Sequence, residues 1–461
     1  MTSRNMSRQN PLRFGVNYIP SKNWWYSWQD WDEGSVSDDL AAIAGLELDH
    51  IRIQCLWPVF QPNRHFLNNS ALDRLSSLVD MAYERGLSVQ IAVLDGWLSG
   101  FTFFPEWKDG RNMFTHPDLI AAEKALFKGI ADRVGSHPGF LGFDLGNELS
   151  VLVEMGEACA LSEGDRWASD MLSFCEDLAP GKFHVNGVDH CPWFWDTAFS
   201  RRGLANTGSA SSLHTWTKFT KALDLYGPLG TGSVHLAEYC VELANAYADD
   251  PTRPVWIQEF GASSLWMSHE EIPEFAEKTI RNAATCRNVW GFTWWCSHDI
   301  PSRFSDFDPM EYDLGLLTTG NEVKPTGARF KQLIREFRTS QPTAIDRPDA
   351  LILPDGLLGE PQAGPRGWQF ARRYMQCLEE GFRPAIVLES RATDSAHLAS
   401  RGIRNLIGDL QAGASPSISI SSDDRPVLEN SVRSQASNED YISFVASRGA
   451  GDTQSVLDVS S

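Results

Sequence analysis

Two glutamates in this sequence stand where a pair of carboxylates can work together. Glu148 follows the apolar run Phe140–Gly146, with Asn147 just before it, and Glu259 ends the run Pro254–Glu259. Two carboxyl groups about 5–5.5 Å apart are what retaining hydrolysis of a glycosidic bond needs. One attacks the anomeric carbon, and the other donates a proton and later removes one. Taken singly, each residue says little, because a glutamate ending a strand is commonly a solvated surface group or a helix cap. Their weight depends on the elements that carry them.

Those elements alternate. Eight candidate strands run along the chain at Arg13–Asn17, His50–Gln54, Ser88–Leu94, Phe140–Gly146, Lys182–Gly187, Ser211–Thr215, Pro254–Glu259 and Val289–Cys296. Each is short, apolar and bounded by turn or cap residues. Helix signals lie between them. Leu72, Leu75, Val79 and Ala82 share one face of a helix opened near Ser70 and ended by Gly86. Pro117 opens another that closes at Gly135, and Ser268 with Glu271 has capping-box spacing before a helix to about Cys286. Near-continuous apolar strands imply parallel strands buried on both faces, and eight strand–helix pairs predict a closed (β/α)8 TIM barrel over residues 1–340. An open doubly wound sheet is the competitor. It normally carries a glycine-rich phosphate turn after its first strand, whereas this chain reads Asn17-Tyr18-Ile19-Pro20 there. In a barrel, chemistry belongs at the C-terminal strand ends, and the fourth and seventh ends lie across the mouth from each other. Glu148 and Glu259 occupy those two ends.

Past residue 340 the texture changes. A linker over Gln341–Pro348 leads to a small βαβαβ pattern: Ala350–Leu353, a helix over Gly367–Glu380, Pro384–Glu389, a helix around Ser395–Ser400, and Ile403–Ile407. It predicts a small C-terminal α/β appendage over residues 349–461, with a structural or oligomeric role and a polar, loosely held tail.

Composition narrows the function. The 461 residues are 42% hydrophobic and 22% charged, an ordinary globular balance, with sixty acidic against forty basic residues and a net charge of −20. That field repels phosphate backbones and anionic lipid, so neither nucleic acid nor membrane is an expected partner. No apolar run approaches the ~20 residues of a membrane span, and the polar opening MTSRNMSRQNPLR has no secretory h-region. The eight cysteines include no CxxC pair, which predicts reduced, buried thiols in a cytoplasmic protein and no metal site. No cofactor is expected.

At this point the motifs become specific. The segments GFDLGNELS and PVWIQEFGAS resemble the acid/base and nucleophile motifs of glycoside hydrolase family 5, over roughly residues 13–338. The resemblance implies Glu148 as general acid/base beside Asn147, and Glu259 as nucleophile. It also implies Arg52 in HIRIQC near the nucleophile, His214 in SLHTW on the sixth strand, and Trp295 in GFTWWCS beneath the sugar. Two departures set the chain apart from the cellulase members: Trp216 stands where a tyrosine is common, and Leu94-Asp95-Gly96-Trp97 where a histidine is common. Both Asp95 and Trp97 would border the sugar. The segments GVNYIPSKNWWYSW, LWPVFQPN, WWCSHDI and DLGLL are most similar to subfamily 18, which implies an exo-acting β-mannosidase working on the mannosyl-β-1,4-N-acetylglucosamine core of N-glycans.

Physical chemistry gives these residues roles. A guanidinium at Arg52 would lower the pKa of Glu259, and an ionised Glu259 would raise that of Glu148. The Asn147 amide can donate to the sugar 2-hydroxyl. Sixteen of the seventeen tryptophans precede residue 296. Trp24, Trp25, Trp28 and Trp31 fall on the loop after the first strand, and Trp57 and Trp97 follow the second and third. Such a cluster of apolar faces predicts a walled sugar pocket, although any single tryptophan is as readily explained by core packing. His298 and Asp299, past the eighth strand, are candidates for hydroxyl binding; a third metal ligand at sensible spacing is lacking. Competing readings are an endo-β-1,4-mannanase or β-glucanase with the same machinery and a non-catalytic sugar-binding barrel; a metal-dependent hydrolase is weakest, since no strand carries a His-x-His pair.

Overall fold

The computed structural model describes residues 11–360 and 364–408. Seven strands form one parallel curled sheet: β1 (Arg13–Asn17), β2 (His50–Leu56), β3 (Ser88–Asp95), β4 (Phe140–Asp144), β5 (Ser211–His214), β6 (Val255–Phe260) and β7 (Val289–Trp294). Their order across the sheet is β4-β3-β2-β1-β7-β6-β5. The gap between β4 and β5 is filled by residues 182–187, which complete the α/β barrel without forming a regular strand. This corrects the expected fifth strand, and the reason is local. Phe183 and Val185 N–H groups donate to Leu141 and Phe143 carbonyls, but Phe143 N–H donates to the His184 ring (3.1 Å) and His184 N–H to the Ser209 hydroxyl (2.9 Å). Side chains thus take ladder positions on both flanks.

The helices obey the rules that predict them. Helix Asn69–Glu84 buries Leu72, Leu75, Leu78, Val79 and Ala82, and its cap is Asn68 rather than Ser70, because the Asn68 side chain accepts from Ala71 N–H. Ser268 and Glu271 bond reciprocally, Ser268 N–H to the carboxylate (2.8 Å) and Glu271 N–H to the hydroxyl (3.3 Å). The bottom of the barrel is plugged by aromatics. Phe183 stacks on Trp290 (4.5 Å between centroids), Trp290 meets Trp256 (5.0 Å), and Trp256 donates to Thr293 (2.7 Å). Two of the many tryptophans are therefore accounted for at the end opposite the chemistry.

After the barrel, β8 (Asp349–Leu353), β9 (Ala385–Leu388) and β10 (Asn405–Ile407) form a parallel three-stranded sheet in the order β9-β8-β10. Strand β9 packs on barrel helix Leu236–Tyr247, and helix Trp368–Glu379 lies beside the short helix Thr231–Val234. The junction is ionic and buried. Arg347 reaches Glu238 (2.6 Å) and Glu242 (3.3 Å), and Arg383 and Arg401 add contacts to the same two glutamates. Trp368 donates its indole N–H to the Thr220 carbonyl in the loop that carries Trp216. The expected polar tail past residue 408 lies outside the described residues.

Truncation after residue 345 is expected to cost solubility before chemistry. It strands Glu238 and Glu242 without their arginines, and breaking a buried pair costs about 3–5 kcal/mol. Soluble yield and gel filtration decide the matter: a soluble monomer of unchanged stability would show that the appendage is dispensable.

Candidate active site

Arg52 organises the centre. It projects from β2 and is fully buried, yet all its polar directions are met. Its Nε and Nη2 bond Asp144 (2.9 and 2.8 Å), Nη1 bonds Glu259 Oε1 (2.7 Å) and Asn17 Oδ1 (2.9 Å), and Nη2 bonds the side-chain oxygen of Asn147 (3.0 Å). Asp144 is held in turn by the N–H of Gly187 (2.7 Å). A side chain at that glycine would place its Cβ 2.5 Å from the carboxylate, so only glycine permits the approach.

The chain after β4 bends sharply. Glu148 adopts a left-handed backbone (φ 47°, ψ 47°) as the residue before the short helix Leu149–Glu154. That conformation costs a non-glycine residue about 1–2 kcal/mol and turns the carboxyl into the mouth. Glu259 enters from β6. Between them stands His214, at the end of β5, with Nδ1 2.9 Å from Glu148 Oε1 and 3.3 Å from Glu259 Oε2. The ring nitrogen and one oxygen from each glutamate all lie within 4.8 Å of one another. The Trp216 indole donates to Glu259 Oε2 (3.3 Å), and Asn147 donates to the Trp97 carbonyl (2.9 Å).

Burial sets the proton balance. It pushes Glu148 up to about 7 against the pull of Arg52 and the Trp97 indole. It also pushes Glu259 up to about 7; Glu148 adds to the rise, while His214, Arg52 and Trp216 oppose it. The expectation that Arg52 would hold Glu259 low is thus corrected, because loss of water outweighs the ion pair. Two carboxyls this close and this dry do not both ionise near neutrality, so the pair keeps one proton. Glu259 accepts from Arg52 and Trp216, so it holds the charge. That leaves the shared proton to Glu148, whose Oε1 lies 2.9 Å from His214 Nδ1.

Above them lies a cleft that opens to solvent. Of the candidate residues, Glu148, Glu259, Asn147, Trp97, Trp216 and Trp295 line it. Arg52 and His214 lie one layer behind, bonded to the glutamates. Strand alternation separates the two adjacent tryptophans: Trp294 is packed on Phe260 and Phe330 and donates to the Leu314 carbonyl (2.9 Å).

Five candidates are not at the cleft. Trp24 is fully buried and packs on Phe101, Phe103 and Phe307 at 5.0–6.2 Å; it ties together the two segments that build the wall. Trp25 is buried against Tyr18 (6.3 Å). Trp57 is buried, donates to Gln61 (2.9 Å) and meets Trp107. Asp95 is buried behind Arg52; in the orientation its neighbours favour, Gln54 donates to Asp95 (3.1 Å) and accepts from Arg52 (2.9 Å). Asp299 pairs with Lys324 (2.7 Å) and accepts from Gly315 N–H (2.9 Å), pointing away. The adjoining His298 is spent on Ile19, Ser297 and Asn321. Trp24, Trp25, Trp57 and Asp95 are buried away from the cleft, and Asp299 is half-buried against Lys324.

Sequence reasoning missed the wall itself. Ser99 and Gly100, Phe219, Trp266, and Asp308, Met310, Glu311 and Leu314 complete the lining. The only available signal was the length of the segments after the third and last barrel strands. Burial lifts Glu311 to about 8, so at neutral pH it offers both a donor and an acceptor to a hydroxyl. The lining carries four carboxyl groups and no basic side chain, an environment for a neutral polyol rather than an anion.

No protein-family model and no curated protein matches the chain. Solved structures do. A glycoside hydrolase family 5 subfamily 18 structure from Streptomyces cattleya, in complex with Manβ1-4GlcNAc, is 36% identical with a TM-score of 0.80, over 86% of this chain and 98% of that one. A subfamily 18 structure from Bifidobacterium longum subsp. infantis is 34% identical with a TM-score of 0.81, over 86% and 96% of the two chains. An exo-β-1,4-mannosidase from Opitutaceae bacterium strain TAV5, at 23% identity and a TM-score of 0.68 over 82% and 69%, shares the fold.

Proposed function

The chain belongs to glycoside hydrolase family 5, subfamily 18, and we propose that it is a retaining exo-β-mannosidase that removes the terminal mannosyl unit of mannosyl-β-1,4-N-acetylglucosamine. The observation that carries the reading is the cluster of Glu148, His214 and Glu259, whose polar atoms lie within 4.8 Å of one another above Arg52. That spacing suits double displacement, because an inverting pair needs about 6.5–9.5 Å for a water. Glu259, ionised against Arg52, attacks the anomeric carbon. Glu148 passes its proton to the glycosidic oxygen as the bond breaks. In the glycosyl-enzyme the charge on Glu259 is gone, Glu148 becomes more acidic, and it accepts a proton from the attacking water. Asn147 spends one amide hydrogen on Trp97 and keeps the other for the 2-hydroxyl.

Walls formed by the Ser99–Gly100 turn, Trp266 and the segment Asp308–Leu314 support a pocket for a chain end. They replace the Trp24 and Trp25 walls expected from sequence. The ligand of the Streptomyces relative supports N-acetylglucosamine as the neighbouring sugar. No disulfide joins the described cysteines, which supports a reducing, cytoplasmic setting.

A direct comparison tests the reading. An acetamido group offers a donor, an acceptor and a methyl, and a site built for it rejects a plain hydroxyl by about 1–3 kcal/mol. Mannosyl-β-1,4-N-acetylglucosamine is therefore expected to exceed β-1,4-mannobiose by roughly ten-fold or more in kcat/KM. Equal rates would remove the N-glycan reading. A fast fall in the viscosity of a mannan solution would replace it with the endo-mannanase one.

A further inference from the structure

The residue before the nucleophile has no role in the scheme above, yet it is fully buried beside it. Strand alternation would turn Gln258 away from Glu259. The ladder is irregular there: β6 shifts register against β7 between Ile257 and Phe260, and against β5 at His214. Such irregularities re-aim side chains. Gln258 donates its amide N–H to Asp144 Oδ2 (2.9 Å), and its oxygen lies 3.0 Å from His214 Nε2.

That amide cannot turn round. Both Asp144 oxygens are acceptors, Oδ2 from Arg52 and Oδ1 from Gly187 N–H, so the carboxylate takes only the NH2 end. The Gln258 oxygen must then face His214, and Nε2 must carry a hydrogen to meet it. Burial, with Arg52 adding to it, lowers the pKa of His214 against the pull of the Glu259 carboxylate, whose Oε2 lies 3.3 Å from Nδ1 and is already met by the Trp216 indole, and the ring is neutral. A neutral imidazole with a hydrogen on Nε2 has a bare Nδ1. The bare nitrogen is the one 2.9 Å from Glu148.

We propose that Gln258 is a positioning residue: by fixing His214 as the Nε2–H tautomer it leaves Nδ1 to accept the O–H of Glu148, and so keeps the general acid loaded. The proposal rests on the acid/base reading of Glu148. The opposite tautomer would point an N–H at Glu148 and favour its ionised form. No proton is gained or lost by His214 in this scheme. The acid proton leaves Glu148 for the glycosidic oxygen, and the ring stays neutral throughout.

Other groups around Glu148 do not replace this control. Arg52 from β2 and Glu259 from β6 carry opposite charges and offset each other. Asp189 beyond residue 187 and Glu311 in the wall are lifted by burial to about 8, which leaves them neutral near pH 7, and burial raises Asp95 from β3 as well. His190 is lowered to about 3, mainly by burial with His214 adding to the fall, and is neutral too.

The first test needs no variant. In the full-length protein labelled with nitrogen-15 histidine, His214 (assigned from its loss in His214→Gln) is expected to show a bare Nδ1 and a protonated Nε2 near neutral pH. A protonated Nδ1 overturns the proposal, whatever the substrate. The second test is kinetic. Gln258→Leu is expected to lose about 10²-fold on the disaccharide, the lower end of what acid help supplies, and only a few-fold on an aryl β-mannoside with a good leaving group. Its basic pH limb should move to lower pH. Gln258→Glu, whose O–H would donate to Asp144 in place of the amide, should restore the limb. Equal losses on both substrates with an unmoved limb would make Gln258 a packing residue and sink the proposal. If the wild-type chain cleaves other β-glycosides and not mannosides, the substrate reading fails while the tautomer measurement still decides this one.

Discussion

Glu259→Ala is expected to remove turnover of every substrate, including aryl glycosides that need no acid help. In the proposed mechanism this residue supplies the electron pair that forms the glycosyl-enzyme, and no other carboxylate in the lining is placed against Arg52 to do so. Loss of such a nucleophile is worth on the order of 10⁵-fold or more. The variant should fold. Arg52 keeps Asp144 at 2.8 Å and the side-chain oxygens of Asn17 and Asn147, so no buried cation is stranded. Glu259 itself is raised to about 7, chiefly by burial. A carboxyl raised on folding takes up a proton, so it lowers stability as pH climbs from the unfolded value through the folded one. Removing it should therefore leave the melting temperature at neutral pH unchanged or higher. Activity within ten-fold of wild type would end the assignment. So would proton NMR showing the α-anomer as the first product from a β-glycoside, because a nucleophile on the enzyme forces retention.

How much of this was legible in the sequence depended on whether a residue's place follows from topology or from a loop's path. The strand count alone put Glu148 and Glu259 at facing ends of one barrel. The motif around Arg52 then put a cation beneath them. Alternation sorted Trp295 from Trp294. What failed was everything that needs tertiary packing to locate. Trp24 and Trp25 lie on a top-face loop, as expected, but Trp24 is covered by the segments carrying Phe101 and Phe307 and backs the wall from behind, while Trp25 is buried against Tyr18. Trp266 and Glu311 line the cleft, yet nothing in their local sequence marks them. Residues 182–187 have the composition of a strand, and only the side chains of His184 and Ser209 decide that they are not a regular one. Gln258 was hidden by the alternation rule itself, which holds along a regular ladder and lapses where the register shifts.

On the proposed mechanism, Glu148→Ala separates the two halves of the reaction. Without the acid, departure of a sugar hydroxyl is slowed by about 10²–10⁴-fold, whereas an aryl leaving group of low pKa departs unaided. The disaccharide should therefore lose most of its rate, and an activated aryl mannoside should show a burst of phenol followed by slow hydrolysis of the glycosyl-enzyme, since the base for the second step is missing too. The pH profile carries the same information. In the wild type, kcat/KM should rise as Glu259 gives up its proton and fall as Glu148 loses its own, a bell near the pH of about 7 to which burial, above all, lifts both groups. In Glu148→Ala the basic limb should vanish for the activated substrate. The acid limb should also move down, because Glu259 no longer faces a neighbouring carboxyl that raises its pKa while Arg52 remains at 2.7 Å. Removing His214 would disturb both limbs, since its ring touches both glutamates. A variant that kept its basic limb, or lost equally on good and poor leaving groups, would show that Glu148 is not the group that protonates the leaving oxygen.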